Sequence, residues 1–582
     1  MMWQISRART QARLGLYISS DITIHQLAAK SDESRWTPYY KIPSRDSHQH
    51  LRFMTIPLIY LLVAVALGCA VFSLRFSQRE TGLPPGPPTV PLVGNLHLLP
   101  KMGKLHLKFM EWSRKYGDIV SIKTGSGTMV VLSSPTAIKQ VVDKQGWAAS
   151  SRPANHLADL AAGGYHILFA PDTARLRSIR KTITRFLGPQ SSLNRVSVQE
   201  AESSQLLNEL MTQPENFSES IRRYTHSTAR ISIYGQRVSS LTTPGVQRFY
   251  KILHRFLHIS VPGVYPPVDL FPALKYLPER YAPWIAACRR SKSELVKFHA
   301  ELSMGAKERS TQPNADHQRD PSFMEYISNM GLSEEEYSVS AYGGFTLMEA
   351  GSHTIAAFLL SLILILALHP EPQERAREEI ESVVGSARLP ELDDFKKMPF
   401  VDALMKEVVR IRPPFPIGVP HATTSEIRYK NYVLPKNTTV ILNIYSIFHN
   451  PDIFEDHDVF NPDRFMQTKF GTRPGMDIDF RDNFLFGAGR RICPAQHVAH
   501  ATMQIVTMRL LWAFQFRSAV DAQTGRPLTR KLDCYAPEFV TMPHPFKCVI
   551  ELCGEEQRGI ITQAFKNAKS VLGAYENENL KA

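Results

Sequence analysis

One short stretch, residues 486–495, constrains this chain more than any other because it holds a single thiol in a glycine-rich loop, Phe-Gly-Ala-Gly-Arg-Arg-Ile-Cys-Pro-Ala. Gly487 and Gly489 allow backbone conformations closed to other residues and a close approach to a large flat ligand. Cys493 is therefore a candidate metal ligand, and Arg491 is close enough to neutralise an anionic group on that ligand. An isolated cysteine is more often a small core side chain, so the assignment depends on the surrounding pattern.

That pattern, Phe-x-x-Gly-x-Arg-x-Cys-x-Ala, resembles the haem-binding signature of the cytochrome P450 family. The family usually has glycine where this chain has Ala495, which exchanges one small residue for another. By this resemblance Cys493 is the axial thiolate ligand of a haem b iron. Phe486 packs beside it, Gly489 belongs to the cofactor-binding loop, and Arg491 contacts a haem propionate. In cytochromes P450 the thiolate pushes electron density onto the iron and favours O–O cleavage.

The composition is that of an ordinary globular protein, with 582 residues, 43% hydrophobic and 21% charged. No internal repeat and no linker is visible after about residue 90, so we expect one large domain behind an N-terminal segment. The resemblance implies a mainly α fold with small β-sheets, the cytochrome P450 fold, behind one N-terminal transmembrane helix. It places the haem-thiolate catalytic domain at residues 95–551 and leaves 552–582 as a polar tail of unassigned role.

The net charge of +14 is spread along the chain without a dense Lys/Arg run interleaved with aromatic residues, so nucleic acid is not an expected partner. A basic surface suits an anionic membrane surface or an acidic protein partner. The cysteines are scattered without short paired spacing, which argues against a zinc site and against a disulfide framework. They are Cys69, Cys288, Cys493, Cys534, Cys548 and Cys553.

Residues 53–74 contain no charged side chain. At about 1.5 Å per residue the segment spans roughly 33 Å as a helix, enough to cross a bilayer. It is predicted to be a membrane anchor, because a basic and proline-rich hinge, residues 75–94, follows at once where a buried core helix would need a packing partner. We expect lipid to be a partner of this segment.

The first 52 residues form a polar leader whose role the sequence does not reveal. Met54 lies at the start of the anchor, so we hypothesise that residues 1–53 are a gene-model extension or a separate leader. In a chain that begins at Met54, Arg75 and Arg79 flank the anchor and hold the catalytic domain in the cytosol. With the family resemblance, this predicts a single-pass protein of the endoplasmic reticulum membrane.

A short helix is predicted at residues 174–186, after a loop-like stretch at 152–172. In the family, this helix carries a Trp-x-x-x-Arg pair that holds a haem propionate. Leu176 stands at the tryptophan position and Arg180 keeps the arginine. The alternative is a solvated basic helix face.

A long helical pattern runs from 334 to 368 and contains Glu-Ala-Gly-Ser-His-Thr-Ile at 349–355. The small residues are expected to open room on one helix face. The stretch resembles the oxygen-binding helix of the family, in which Thr354 steers protons to dioxygen. His353 replaces the usual acid and Ile355 the second threonine. A neutral imidazole can relay protons near pH 7, whereas the alternative is a polar helix face without proton traffic.

Three charged residues are predicted to form a buried cluster behind the haem, with a structural role. Glu407 and Arg410 are three apart on a helix that begins at Pro399, as in the family's Glu-x-x-Arg, and Arg464 lies in Phe-Asn-Pro-Asp-Arg-Phe. Between them the proline-rich stretch 412–421 cannot be helical. By resemblance, residues 416–419 line the substrate pocket and His421 meets a propionate.

These observations predict a monooxygenase that inserts one oxygen atom from O2 into a small hydrophobic molecule. The chain has no Gly-x-Gly-x-x-Gly after a strand and no room for flavin domains, so electrons are expected from NADPH through a separate NADPH–cytochrome reductase. That reductase is expected to dock on the basic surface around the cysteine loop. Residues 418–424 resemble filamentous-fungal members related to O-methylsterigmatocystin oxidoreductase, which points to secondary metabolism.

Two alternatives stay open at this stage. The first is a haem-thiolate isomerase or dehydratase that does not consume O2, which the replacements at His353 and Ile355 motivate. The second is a haem-binding protein without catalysis.

Overall fold

The computed structural model describes residues 46–100, 102–260, 264–310, 320–481, 483–521, 523–526, 528, 535 and 540–576. The chain divides into two compact units, residues 1–69 and 70–582. Helix α1, Asp46–Phe76, contains all described residues of the first unit. It begins seven residues before the predicted anchor, so the last residues of the expected leader are helical. Residues 1–45 of that leader lie outside the described part of the chain.

The second unit is mainly helical, as predicted. Its helices are α2 Leu105–Tyr116, α3 Pro135–Ile138, α4 His156–Ala162, α5 Ala174–Phe186, α6 Pro189–Leu193, α7 Val196–Thr212, α8 Phe217–Tyr234, α9 Pro244–Ser260, α10 Pro283–Ser310, α11 Phe323–Ser328, α12 Glu334–Leu368, α13 Pro370–Val384, α14 Pro399–Ile411, α15 Ile444–Phe448, α16 Asp463–Gln467, α17 Gln496–Ala513 and α18 Glu555–Gly573.

The strands form three small sheets, as the resemblance implies. They are β1 Ile119–Thr124, β2 Gly127–Leu132, β3 His421–Ala422, β4 Ile427–Tyr429, β5 Tyr432–Leu434, β6 Thr439–Leu442, β7 Phe514–Ser518 and β8 Cys548–Leu552. The largest sheet has the order β1-β2-β6-β3, in which β2 and β6 are parallel with Val131 opposite Ile441. The pairs β4–β5 and β7–β8 are antiparallel.

Helix α12 organises the second unit because it takes part in two separate hydrophobic cores. Ser333 begins it with a capping box in which its hydroxyl and Glu336 satisfy the first backbone N–H groups. Buried residues from Val339 to Met348 pack in one core with α4, α5, α9 and α10. Residues from Ile355 to Leu366 pack in the other core with α14 and α17. The segment 349–354 between them belongs to neither core.

Helix α12 is the one described helix that is long and apolar enough to cross a membrane, and 72% of its most apolar window is buried inside the protein, as in a core helix. The predicted anchor lies within α1, where the described apolar segment is Ile59–Val71. Its large side chains are exposed, for example Tyr60 at 71% and Leu62 at 60%.

The predicted hinge, residues 75–94, belongs to the second unit and lies along β1. The backbone N–H of Ser121 in β1 donates to the Pro85 carbonyl at 2.9 Å. Arg79 donates to the carbonyls of Gly86 and Pro87 at 3.0 and 2.7 Å. These bonds fix the proline-rich segment along β1.

Two other segments differ from the sequence-based expectation. The loop-like stretch 152–172 contains α4, because Asn155 caps the helix and Leu157, Ala158 and Ala161 bury one face. The expected polar tail contains α18, which packs on α7 and buries Ile561, Ala568 and Leu572. Its apolar residues are few, but they are spaced to share one helix face.

Candidate active site

The cysteine loop, residues 486–495, lies at the start of α17 and is held by its own backbone. The N–H of Cys493 donates to the carbonyl of Phe486 at 2.9 Å, which closes the loop around the thiol. The Phe486 ring lies 4.9 Å from the ring of His500 on α17. Cys493 is half-buried and lines a cleft between this loop and α5.

Asp143, which sequence reasoning missed, holds Gly489 of this loop by a hydrogen bond. Its carboxylate accepts the N–H of Gly489 at 2.7 Å and pairs with Arg481 at 2.7 Å. Gly489 has a φ of +60°, and a Cβ there would lie 2.6 Å from the carbonyl oxygen of Val142. Glycine is therefore required at 489 for both conformation and space.

Gly489→Ala is expected to destabilise the fold by about 1–3 kcal/mol and to loosen the cysteine loop, because the new methyl group collides with backbone. Denaturant unfolding checks the stability. Gly487→Ala is the matched control, since Gly487 also has a positive φ (+87°) but a Cβ there meets nothing within 4 Å. An equal loss of unfolding free energy in the two variants would show that the collision with the Val142 carbonyl does not cause the destabilisation.

Opposing effects act on the pKa of the Cys493 thiol. Burial raises its pKa, whereas the backbone N–H of Ala495 and the charge of Arg180 lower it. Arg180 also donates to the carbonyl of Ile492 at 2.7 Å, one residue before the cysteine. A bound metal cation removes the proton from a coordinating thiol, so these two groups would then stabilise the thiolate.

A cluster of basic side chains, Arg152, Arg180, His421 and Arg491, surrounds the loop 163–172 and the cysteine loop. Arg491 donates to the carbonyls of Ile167 and Ala170 at 2.9 and 3.1 Å. Arg152 donates to those of Val419 and Pro420, both at 2.8 Å. The Nδ1–H of His421 donates to the Ala149 carbonyl at 2.8 Å.

In this cluster Arg152, His421 and Arg491 are buried and Arg180 is half-buried, and none of the four forms a carboxylate ion pair in the described part of the chain. Burial and the charge of Arg180 lower the pKa of Arg491 to about 10. Burial, then Arg491 and Arg180, lower the pKa of Arg152, and burial with Arg152 lowers that of His421. The Nε of Arg491 is buried with no partner among the described residues. The charge of Asp172 opposes the shift of Arg491 but forms no ion pair with it. Buried cations without an ion pair are costly, so the cluster fits a ligand with carboxylates.

Arg152 is a site residue that the sequence did not reveal. It is 8% exposed and interacts electrostatically with three predicted site residues, yet it lies in a stretch expected to be only a loop. The only local sign is an arginine before a proline, which is not specific.

The segment of α12 between the two cores has an open face. Ala350 is exposed and Thr354, one turn later, is half-buried, although the helix on both sides is buried. The Thr354 hydroxyl donates to the Ala350 carbonyl at 2.9 Å. Gly351 instead faces α8, where a Cβ would lie 3.3 Å from Ala229. The open space expected beside α12 therefore lies on the Ala350 face, whereas Gly351 allows α12 to pack closely against α8.

No group of three or more His, Cys, Asp and Glu side chains in the described residues could hold a metal ion. Cys493 as the one protein ligand suits an iron held by a porphyrin, and the basic cluster suits the porphyrin's two carboxylates. The residues present therefore fit haem.

The comparisons with known proteins decide the family. Residues 84–548 match the family model described as Cytochrome P450. The chain belongs to the cytochrome P450 family. A cytochrome P450 monooxygenase of Armillaria gallica is 36% identical over 529 residues, 90% of this chain and 99% of the relative. One of Arthrobotrys oligospora is 32% identical over 531 residues, 90% and 98% of the two chains. The monooxygenase yanC of Aspergillus niger is 32% identical over 537 residues, 89% and 99%.

This cytochrome P450 is thus a monooxygenase with the mainly helical fold of its family, and membership implies a haem with thiolate ligation and a redox partner. The predicted recognition and enzyme class are confirmed. The roles assigned to single residues stay predictions.

His353 of this cytochrome P450 lies on the side of α12 that faces α9. Its ring centroid is 6.2 Å from that of Tyr250. Burial lowers the pKa of His353 to about 4, with Glu349 opposing and Arg222 adding to the shift. The imidazole is therefore neutral near pH 7, so it can pass a proton between its two nitrogens but does not store one.

The structure brings Glu407, Arg410 and Arg464 together, as the sequence predicts. Glu407 is 0% exposed and accepts from Arg410 at 2.7 and 2.8 Å and from Arg464 at 3.2 Å. The backbone N–H of Asn461 also donates to Glu407, at 2.9 Å. The carboxylate is thus fully paired, and both arginines reach further to backbone carbonyls of residues 448–459.

Proposed function

We propose that this cytochrome P450 is a membrane-anchored monooxygenase that holds haem b through Cys493 and oxidises a small hydrophobic molecule of secondary metabolism. The arrangement that supports this proposal is the half-buried Cys493, which lines a cleft, beside a mostly buried basic cluster that forms no carboxylate ion pair among the described residues. The haem, when bound, supplies the activation of O2 that the protein's own side chains cannot provide.

In this proposal each part of the site has one task. Cys493 ligates the iron, and the basic cluster of Arg152, Arg180, His421 and Arg491 binds the propionates. A bound carboxylate would raise the pKa of His421 and turn its Nε2 into a donor. Thr354 holds and passes protons beside the open face of α12, with His353 next to it.

The substrate class follows from the surroundings and from the relatives. The part of α12 that precedes the open face packs in a core rich in aromatic side chains, among them Phe249, Phe256 and Phe345, so the surroundings of the site are apolar. Apolar surroundings suit an apolar molecule. The similar monooxygenases are fungal proteins, which supports a role in secondary metabolism.

Product analysis under isotopically labelled dioxygen tests the reaction type with the full-length protein and a reductase. A monooxygenase transfers one labelled atom to the product. An isomerase or dehydratase, which the replacement of the usual acid by His353 favours, gives unlabelled product. Labelled product would exclude that alternative, and its absence in every converted substrate would overturn the proposal.

The anchor is proposed to be the apolar part of α1. The exposed apolar side chains of Ile59–Val71 support it, since water is an unfavourable surrounding for such a surface. We propose insertion in the endoplasmic reticulum membrane with residues 95–551 in the cytosol. Extraction of the full-length protein from membranes by alkaline carbonate would contradict the anchor.

A basic cleft is proposed as the docking site of an NADPH–cytochrome reductase. The cleft has a volume of about 590 Å³ and lies between α5 and the cysteine loop. Its cationic lining residues are Arg177, Arg180, Lys181, Arg185, Arg490 and Arg491, with Asp172 as one acidic member. Cys493 lines the same cleft, so an acidic partner bound there would approach the proposed ligand of the iron.

The rate of reduction by the reductase is expected to fall steeply as salt is raised, because ions screen exposed charges over about 8–10 Å. Stopped-flow reduction at several salt concentrations measures it. Lys181→Glu and Arg185→Glu should lower the rate and flatten the salt dependence. Arg558→Glu on α18, another exposed helical arginine, is the control and should leave both unchanged. Salt-insensitive reduction would contradict docking by charge.

A further inference from the structure

A stripe of polar side chains runs along one face of α12. Its members are spaced four, three and four residues apart, which places them on one face of an α-helix: Tyr342, Thr346, Glu349 and His353. At about 1.5 Å per residue the stripe is roughly 16 Å long and ends beside Thr354. A polar row in a mostly apolar buried helix needs partners, because an unpaired buried polar group costs free energy.

The partners of several of these groups are missing from the described part of the chain. The hydroxyls of Tyr342 and Thr346 are buried, at 5% and 4% exposure of the residues, and neither has a hydrogen-bond partner there. Nδ1 of His166, a residue 4% exposed on the loop after α4, is equally unpaired. Buried waters typically satisfy such groups with about three hydrogen bonds each.

Glu349 is the acidic member of the stripe and is held in place by His166. It is 8% exposed, and its carboxylate accepts from Nε2–H of His166 at 3.0 Å. That bond leaves Nδ1, the second ring nitrogen, available for a hydrogen bond with water. The His166 ring stacks on Phe256 with centroids 4.8 Å apart, which fixes its orientation.

The stripe runs from the protein surface near Tyr165 to the middle of α12. At its outer end the Tyr342 ring lies 5.9 Å from Tyr165, which is 41% exposed, and 5.5 Å from His299. At its inner end His353 is half-buried and directly precedes Thr354. The charge of Glu349 acts on both ends, since it influences the titration of Tyr342 and of His353.

We propose that the stripe is a hydrated proton path to Thr354, in which Glu349 relays protons and His166 positions it. A monooxygenase takes up electrons and protons in equal number as one oxygen atom enters the substrate and the other leaves as water. Those protons must cross an apolar interior. Glu349 gains a proton from water on the Tyr342 side and loses one towards His353, so its net charge is restored. This inference rests on the proposed role of Thr354.

Glu349→Gln in the full-length protein with its reductase tests the relay without a known substrate. NADPH oxidation in air-saturated buffer should slow about tenfold, and its solvent deuterium isotope effect should increase, because a general acid–base group has been removed. Glu349→Asp should restore most of the rate. Glu335→Gln is the matched control, since Glu335 is an exposed carboxylate (84%) in the first turn of α12.

The hydration of the stripe has a readout independent of turnover. Hydroxyl-radical footprinting by X-ray radiolysis modifies buried side chains that touch bound water. Tyr342 should be modified in the wild type, whereas Trp512, 0% exposed with its indole N–H bonded to the Gly385 carbonyl, should stay protected. Protection of Tyr342 equal to that of Trp512 would overturn the path.

An unchanged rate and isotope effect in Glu349→Gln would overturn the relay. A normal carbon monoxide difference spectrum in that variant shows that the loss is not one of folding or haem binding. If the wild type itself lacked the thiolate-type spectrum, the proposed function would fail, and the footprinting result would still decide whether the stripe is hydrated.

Discussion

Replacing Cys493 with serine is expected to abolish the thiolate-type Soret band of the reduced carbon monoxide complex, and monooxygenase turnover with it. A serine hydroxyl is not ionised near neutral pH and cannot supply the electron-rich sulfur on which O–O cleavage depends. The loop itself should survive, because its closing bond runs from the backbone N–H of residue 493 to the carbonyl of Phe486. The carbon monoxide difference spectrum and product formation therefore report the ligand rather than the fold.

Cys553→Ser is the control for this substitution. Cys553 is also a half-buried free cysteine whose pKa is raised by burial, but it follows β8, outside the cysteine loop. Its serine variant should keep the thiolate-type band at the wild-type intensity. A thiolate-type band that persisted in Cys493→Ser would assign the iron to another cysteine and overturn the site described above.

Replacing Glu407 with alanine is expected to lower the free energy of unfolding by about 3–5 kcal/mol, because removing one partner leaves buried charges uncompensated. Arg410 and Arg464 are only 1% and 6% exposed, and their guanidinium groups would lose the carboxylate that pairs with both. That loss is a large part of the stability of a typical domain. Denaturant unfolding followed by circular dichroism measures it, and a poor yield of folded protein would accompany it.

Asp402→Ala on the same helix provides the comparison. Asp402 pairs with Lys406 at 2.9 Å, but the two side chains are 40% and 34% exposed. Water screens such a pair, so its removal should cost no more than about 1 kcal/mol. If both substitutions lowered the free energy of unfolding equally, burial would not explain the contribution of the Glu407 cluster to stability.

The parts of this fold that could be predicted from the sequence are those fixed by local signals. Helices α5 and α12 have the predicted bounds and α14 has the predicted start. A capping hydroxyl marks the first two starts, at Thr173 and Ser333, and Pro399 at the first helical position marks the third. The cysteine loop was equally visible, since its glycines and thiol are consecutive in the chain.

The parts that were missed depend on contacts between distant segments. Asp143 holds Gly489 across 346 positions, and nothing near residue 143 marks it. Arg152 joins the basic cluster only because α4 and the following loop fold back over the cysteine loop. The polar stripe of α12 was partly noticed at His353, but the pairing of Glu349 with His166 becomes visible only when the two lie together.

Helix α18 has a practical consequence for producing this enzyme. The family match ends at residue 548. Ile561, beyond that point, belongs to the core that α12 forms with α14 and α17, and Ala568 and Leu572 pack against Ala201 on α7. Arg237 also pairs with Glu576 at 2.6 Å. A recombinant chain cut at the family boundary would lose most of β8 and expose this apolar surface, which favours aggregation. Shortened versions for crystallisation should therefore keep the chain to residue 576.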